Sequence, residues 1–169
     1  MRARPAARTT ARSAAAAILS AALVVVGLTG CTFMTPQATV DHYDPSDGIN
    51  VTVGELEVRN ALLLSADGTT ASLLVSIDNP TKYGVQVKVQ YENADSAKVD
   101  DSLYVNAHSV ASFGGADDTR ITLTGIDARP GSLFPVFVQY DDVTGKQLWL
   151  PVLNGALSEY ADLVPASTQ

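Results

Sequence analysis

Between residues 85 and 91 the chain alternates Val85, Val87, Val89 and Tyr91 with Gln86, Lys88 and Gln90. A strict period of two sends successive side chains to opposite faces of an extended strand, so one face is built for a core and the other for water. Ile121 and Leu123 alternate with Arg120, Thr122 and Thr124 in the same way, and Phe134, Val136, Val138 and Tyr140 repeat the pattern. Residues 71–77 are more uniformly apolar, as in a central strand. Ile49, Val51 and Val53 begin the series, and a change of parity at Gly54, before Leu56 and Val58, predicts a β-bulge there.

Turn chemistry separates these runs: Asp67-Gly68, Asn79-Pro80, Gly114-Gly115, Arg129-Pro130-Gly131 and residues 142–145. About eight short strands at such spacing predict an antiparallel sandwich or barrel. The last two strands, residues 133–140 and 146–153, should pair as a hairpin. Pro135 and Pro151 within them should face an edge or a bulge, because proline has no N–H to give to a ladder. Leu157, Tyr160, Ala161 and Val164 stand at i, i+3, i+4 and i+7 ahead of Pro165, which reads as a short C-terminal helix packed on the sheets.

The first thirty residues are of another kind. Arg2, Arg4, Arg8 and Arg12 precede an apolar stretch over residues 14–28, with no acidic residue among them. At about fifteen residues the stretch is short of the roughly twenty that span a bilayer, which favours an export signal. It ends in Leu28-Thr29-Gly30-Cys31. Small residues ahead of a cysteine admit a signal peptidase, and the thiol can take a diacylglycerol. This segment resembles the lipobox of bacterial lipoproteins, with Leu28, Thr29 and Gly30 as the recognition residues and Cys31 as the lipidated one. Cys31 is the sole cysteine, so an internal disulfide is excluded and an exported free thiol needs another explanation, which lipidation supplies. Two acyl chains suffice for stable anchoring.

The expected organisation is therefore a signal peptide over residues 1–30, a lipidated cysteine and flexible tether over 31–48, and a folded domain over 49–165. Beyond the signal the chain keeps 7 basic and 18 acidic side chains, about −11 net. Such a surface is repelled by nucleic-acid phosphates and anionic headgroups, so the lipid on Cys31 must hold the membrane, and no nucleic acid is expected as partner.

Chemistry-bearing groups are sparse. His42 and His108 have no ligand spacing, and adjacency does not make a dyad of Ser109 and His108, since strand neighbours point to opposite faces. Acidic doublets at Asp100-Asp101, Asp117-Asp118 and Asp141-Asp142 each fall near an expected turn. Asp117, Asp118, Asp141 and Asp142 are the candidates for a calcium site if topology brings their loops together; Asp also simply favours turns. Trp149, between Leu148 and Leu150, reads first as a core or edge-packing residue and second as a sugar-stacking platform.

Over residues 50–153 the order of these segments resembles the periplasmic copper chaperone family PCuAC, including its actinobacterial LpqE-like lipoprotein branch. Val58-Arg59-Asn60-Ala61 looks like its first strand entering a loop, residues 71–80, ending in Asp78-Asn79-Pro80, like its central strand, and residues 121–136 like its late strand, loop and next strand. The resemblance implies a cupredoxin-like sandwich that holds Cu(I) with His and Met. Here Arg120 and Thr122 occupy the places of the H-x-M pair, Tyr91 lies near that of the first His, and Met34 is in the tether. The resemblance thus carries the fold without the ligands.

The sequence predicts an all-β, antiparallel β-sandwich of cupredoxin or immunoglobulin type, lipid-anchored on the outer face of the plasma membrane, with no cofactor. It is expected to be a non-catalytic binding or envelope-associated module whose partner is an envelope protein or small ligand. The alternatives are a metal-handling protein of copper-chaperone type with an altered site, or an enzyme without a familiar signature.

Overall fold

The computed structural model describes residues 46–166; Leu28, Thr29, Gly30, Cys31, Met34 and His42 lie outside them. Nine strands follow in order: β1 (Ile49–Val53), β2 (Leu56–Leu64), β3 (Thr70–Asn79), β4 (Val85–Glu92), β5 (Lys98–Val105), β6 (Ser109–Phe113), β7 (Ile121–Thr124), β8 (Leu133–Tyr140) and β9 (Lys146–Leu153). Their hydrogen-bonded order is β5-β4-β8-β9-β2-β3-β6, with β1 on β2 and β7 on β3. The expected all-β, sandwich-like fold is what forms, and β8 and β9 are the hairpin the sequence predicts.

Period two decides which residues face inward. Val85, Val87, Val89 and Tyr91 of β4, Phe134, Val136, Val138 and Tyr140 of β8, and Leu148, Leu150 and Val152 of β9 meet Val58, Ala61, Leu73, Val75 and Ile77 from β2 and β3 in one apolar core. Packing across the two layers is close, leaving a void of only about 10 Å³ between them.

Pairing is not antiparallel throughout. The two layers are joined where Leu63 and Leu64 of β2 run parallel to Val152 and Leu153 of β9, which makes the sheet mixed. No local pattern announces a pairing between segments so far apart in the chain. Both prolines sit beside gaps in the ladder. Pairing of β8 with β4 stops at Phe137, short of Pro135, and that of β9 with β2 covers only Val152 and Leu153, just past Pro151.

The bulge is displaced from its expected place. Gly54 and Glu55 form a two-residue hairpin loop between Val53 and Leu56, with Gly54 at φ +58, a backbone that suits glycine at the first loop position. The extra residue lies instead at Asn60 and Ala61, where the register of β2 shifts against both β1 and β3. Asn60 has φ +50, a conformation asparagine tolerates. Its Oδ1 accepts the amide of Gly48 at 3.0 Å, and its own amide donates to Asn50 Oδ1 at 2.8 Å. One inserted residue reverses the parity of the strand, so Ala61 and Leu63 enter the main core while Leu62 and Leu64 face out.

Those outward leucines need cover, and the C-terminal segment provides it. Leu62 and Leu64 pack with Tyr160 and Leu163, against Leu74, Leu153 and Val164, in a second core. Burying a leucine fully contributes about 1.5–3 kcal/mol. The segment is not the expected helix. It is a run of turns, with Tyr160 N–H donating to Leu157 O and Leu163 N–H to Tyr160 O, both at 3.0 Å. These i to i+3 bonds seat Tyr160 and Leu163 and leave Leu157 exposed. About ten residues are too few for a self-sustaining helix, so the surface beneath sets the backbone. Tyr160 Oη also donates to Asp47 Oδ2 at 2.7 Å, bringing Asp47 and the buried Gly48 into the fold.

Candidate binding face

The outward positions of β4, β5, β8 and β9 form one face. Register places Gln86, Lys88, Gln90 and Glu92 of β4 opposite Tyr104, Ser102, Asp100 and Lys98 of β5. On the other side, Pro135 of β8 stands opposite Trp149 of β9, Leu133 opposite Pro151, and Phe137 opposite Gln147. The face therefore grades from mainly polar on β5 and β4, where Tyr104 is an exposed aromatic, to apolar and aromatic on β8 and β9.

Its polar half is organised by Asp100. Lys88 Nζ lies 2.9 Å from one carboxylate oxygen, and Gln90 Nε2 donates to the other at 2.5 Å. The bond from Lys88, then that from Gln90, holds the Asp100 carboxyl below the usual carboxylate range. Being exposed, this pair contributes little to stability, and its effect is to fix the two side chains and cancel their charges. Gln86 Nε2 donates to Ser102 Oγ at 3.2 Å. Two open depressions follow β4, one of about 430 Å³ beside Gln86, Lys88, Asp101 and Gln139, and one of about 170 Å³ beside Gln90, Phe137 and Gln147.

The apolar half is exposed where a core would be expected. Trp149 is 54% exposed and Leu133 59%, outside both apolar clusters. Core packing is thus not the role of Trp149: Leu148 and Leu150 point inward, which by the same alternation turns Trp149 outward. Phe137 is half-buried, and its ring lies over Gly145, where a β-carbon would fall 2.5 Å from the ring Cζ. The signal for this face was present in the sequence. Leu133, Pro135 and Phe137 interleave with Phe134, Val136 and Val138, so both faces of β8 are apolar, whereas β4 keeps its outer face polar.

The other candidate residues are dispersed. Asp100 and Asp101 lie within β5 and not at a turn. Asp117 and Asp118 are in the β6–β7 loop, where the Asp118 amide donates to Gly115 O at 3.3 Å. Asp141 and Asp142 are in the β8–β9 turn, with Asp141 at φ +43. Asp141 borders the larger depression together with Asp100 and Asp101, but among the described residues no three of His, Cys, Asp or Glu are grouped to hold a metal ion.

The positions that match the copper ligands of the resembling family also diverge. Arg120 and Thr122 are exposed, on the side opposite the buried Ile121 and Leu123, and Arg120 Nη2 donates to Asp162 O at 3.3 Å. Tyr91 is buried, its ring 6.2 Å from that of Phe134. His108 is exposed at φ +49, and Ser109 Oγ donates to Asn106 O at 2.8 Å. No protein-family model matches the chain, and no curated protein matches it.

Proposed function

We propose that this protein is a non-catalytic binding module of the cell envelope, tethered to the outer face of the plasma membrane by lipid on Cys31, which engages its partner through the outward face of β4, β5, β8 and β9. The observation that carries the reading is the exposure of Trp149 and Leu133 on a sheet whose inner face is closely packed. A large aromatic side chain left in water, cross-strand from a proline on a sheet whose outer strands carry fixed polar groups, is the composition of a recognition surface. The likeness to the copper chaperone family enters as a likeness of strand order. Copper handling is not carried with it, because a guanidinium and a hydroxyl at positions 120 and 122 offer Cu(I) neither thioether nor imidazole.

Two measurements test this. Replacing Cys31 with Ala should move the protein out of the membrane fraction or leave its leader uncleaved, and an unchanged membrane fraction with unchanged size defeats the anchor. A photo-crosslinking amino acid at position 147, on the face, should form a discrete adduct in intact cells, while one at position 110, on β6, should not. Equal labelling at both positions defeats the assignment of the face.

A further inference from the structure

Resting on that binding face, we infer that its ligand is a neutral glycan chain, stacked on Trp149 and hydrogen-bonded by glutamines of the same face. Every glutamine among the described residues, Gln86, Gln90, Gln139 and Gln147, is on the strands of this face at an outward position. A carboxamide is planar and both donates and accepts, which matches the paired donor and acceptor character of neighbouring sugar hydroxyls. Gln139 and Gln147 make no side-chain hydrogen bond among the described residues, so their capacity is unspent. The exposed Trp149 ring presents a flat apolar surface of the kind that the C–H face of a pyranose covers.

Charge and shape narrow the ligand further. Lys88, Lys98, Glu92 and Asp100 balance one another on the face, with Lys88 and Asp100 directly paired, whereas the chain beyond the leader is strongly acidic. Asp101 and Asp141 add negative charge at the larger depression, so a polyanion would be repelled there as well as by the surroundings, whereas a neutral ligand is not. The two depressions lie end to end along β4, from Gln86 to Glu92, a run of about 20 Å at strand rise. They are shallow and open, unlike the enclosed, largely apolar cavity that holds a small molecule. An extended oligosaccharide of several units fits such a track.

Trp149 is the only tryptophan in the chain, so its fluorescence reports this surface directly. The mature chain carrying Cys31→Ser would be titrated with soluble oligosaccharides of glucan, mannan, galactan, arabinan and chitin, followed by fluorescence and by calorimetry. At least one should give a saturable change that is insensitive to raising the salt concentration. Calorimetric binding should vanish in Trp149→Ala, weaken at least tenfold in Gln147→Ala and in Gln90→Ala, persist partly in Trp149→Phe, and be unchanged in Tyr83→Ala, on the β3–β4 turn. An unaltered circular dichroism spectrum for each variant separates loss of binding from loss of fold. Absence of saturable binding across the panel overturns the inference, as does binding indifferent to both glutamine changes. Emission of Trp149 already shifted to the blue without sugar overturns it too: dependence on protein concentration would indicate a second copy on the face, and independence a segment of the chain's own. A response to phospholipid vesicles alone would replace the glycan with a membrane surface. If sugars fail while the position-147 crosslink persists, the face stands and only the glycan falls.

Discussion

Tyr91 Oη accepts the amide of Thr124 at 3.0 Å and donates to the carbonyl of the same residue at 3.2 Å. One phenol on β4 thus closes the end of β7, which otherwise pairs only with β3. Tyr91 is thereby committed to satisfying both backbone groups of Thr124.

Tyr91→Phe should therefore cost about 1 kcal/mol, the net of the lost bonds after the exposed Thr124 groups turn to water. Urea denaturation would measure it. A change below a few tenths of a kcal/mol would show that the phenol is incidental to stability.

Asn79 makes a larger claim on the fold. It is fully buried, with Nδ2 donating to Tyr83 O at 2.8 Å, Asn106 O at 2.9 Å and, more weakly, Val105 O at 3.3 Å, while Oδ1 accepts from the amide and hydroxyl of Thr81. Asn79→Ala strands several of these groups away from water and should destabilise by about 3 kcal/mol. An equilibrium unfolding midpoint close to that of the unaltered protein would contradict this.

Gly114 has φ +85, and a β-carbon there would fall 2.1 Å from the Leu73 carbonyl oxygen. Both the backbone conformation and the contact oppose any side chain. Gly114→Ala should lose about 3 kcal/mol or more, whereas Gly131→Ala, at φ +92 but with open space around it, should lose only the conformational part, about 1–2 kcal/mol. Equal losses at the two positions would rule out the steric account.

Burial first, and then the bond to Asp47, raise the pKa of Tyr160 to about 12. The folded state favours the neutral phenol, so the contribution of Tyr160 is complete below pH 10, its ordinary value, and is lost as pH climbs from 10 through 12. The C-terminal segment should loosen over that window. Ultraviolet titration should show a late-ionising tyrosine that disappears in Tyr160→Phe, and a single ordinary tyrosine transition would dispose of the idea.

The strands were legible because they obey one rule: in β4 and β7 a polar outer face makes the inner one unmistakable. Where both faces are apolar, as in β8, the rule finds a strand but not what lies on its second side, and residues 61–64, which show no alternation, were read as the chain entering a loop although β2 continues to Leu64. That is why the second core and the Trp149 face were missed. Gly54 was read as a bulge because a parity change looks alike whether it comes from an inserted residue or a two-residue turn. The spacing at Leu157, Tyr160 and Val164 suits a helix and a series of turns almost equally, and only the surface under it decides. Asp100 and Asp101 were placed near a turn by composition, whereas in an edge strand such charges hinder pairing with another sheet.

The parallel step between Leu63 and Val152 has a consequence for the order of assembly. Neighbouring hairpins such as β4–β5 and β8–β9 can form as soon as their own residues are free, but the layers cannot be joined until nearly the whole domain is present. Contacts of such long sequence separation slow folding, because the entropy of closing the intervening chain is lost before the contact returns anything. A polypeptide that emerges N-terminus first would hold β2 exposed, with Leu62 and Leu64 on one side and Ala61 and Leu63 on the other, until its final strand and the turns that follow arrive to enclose both.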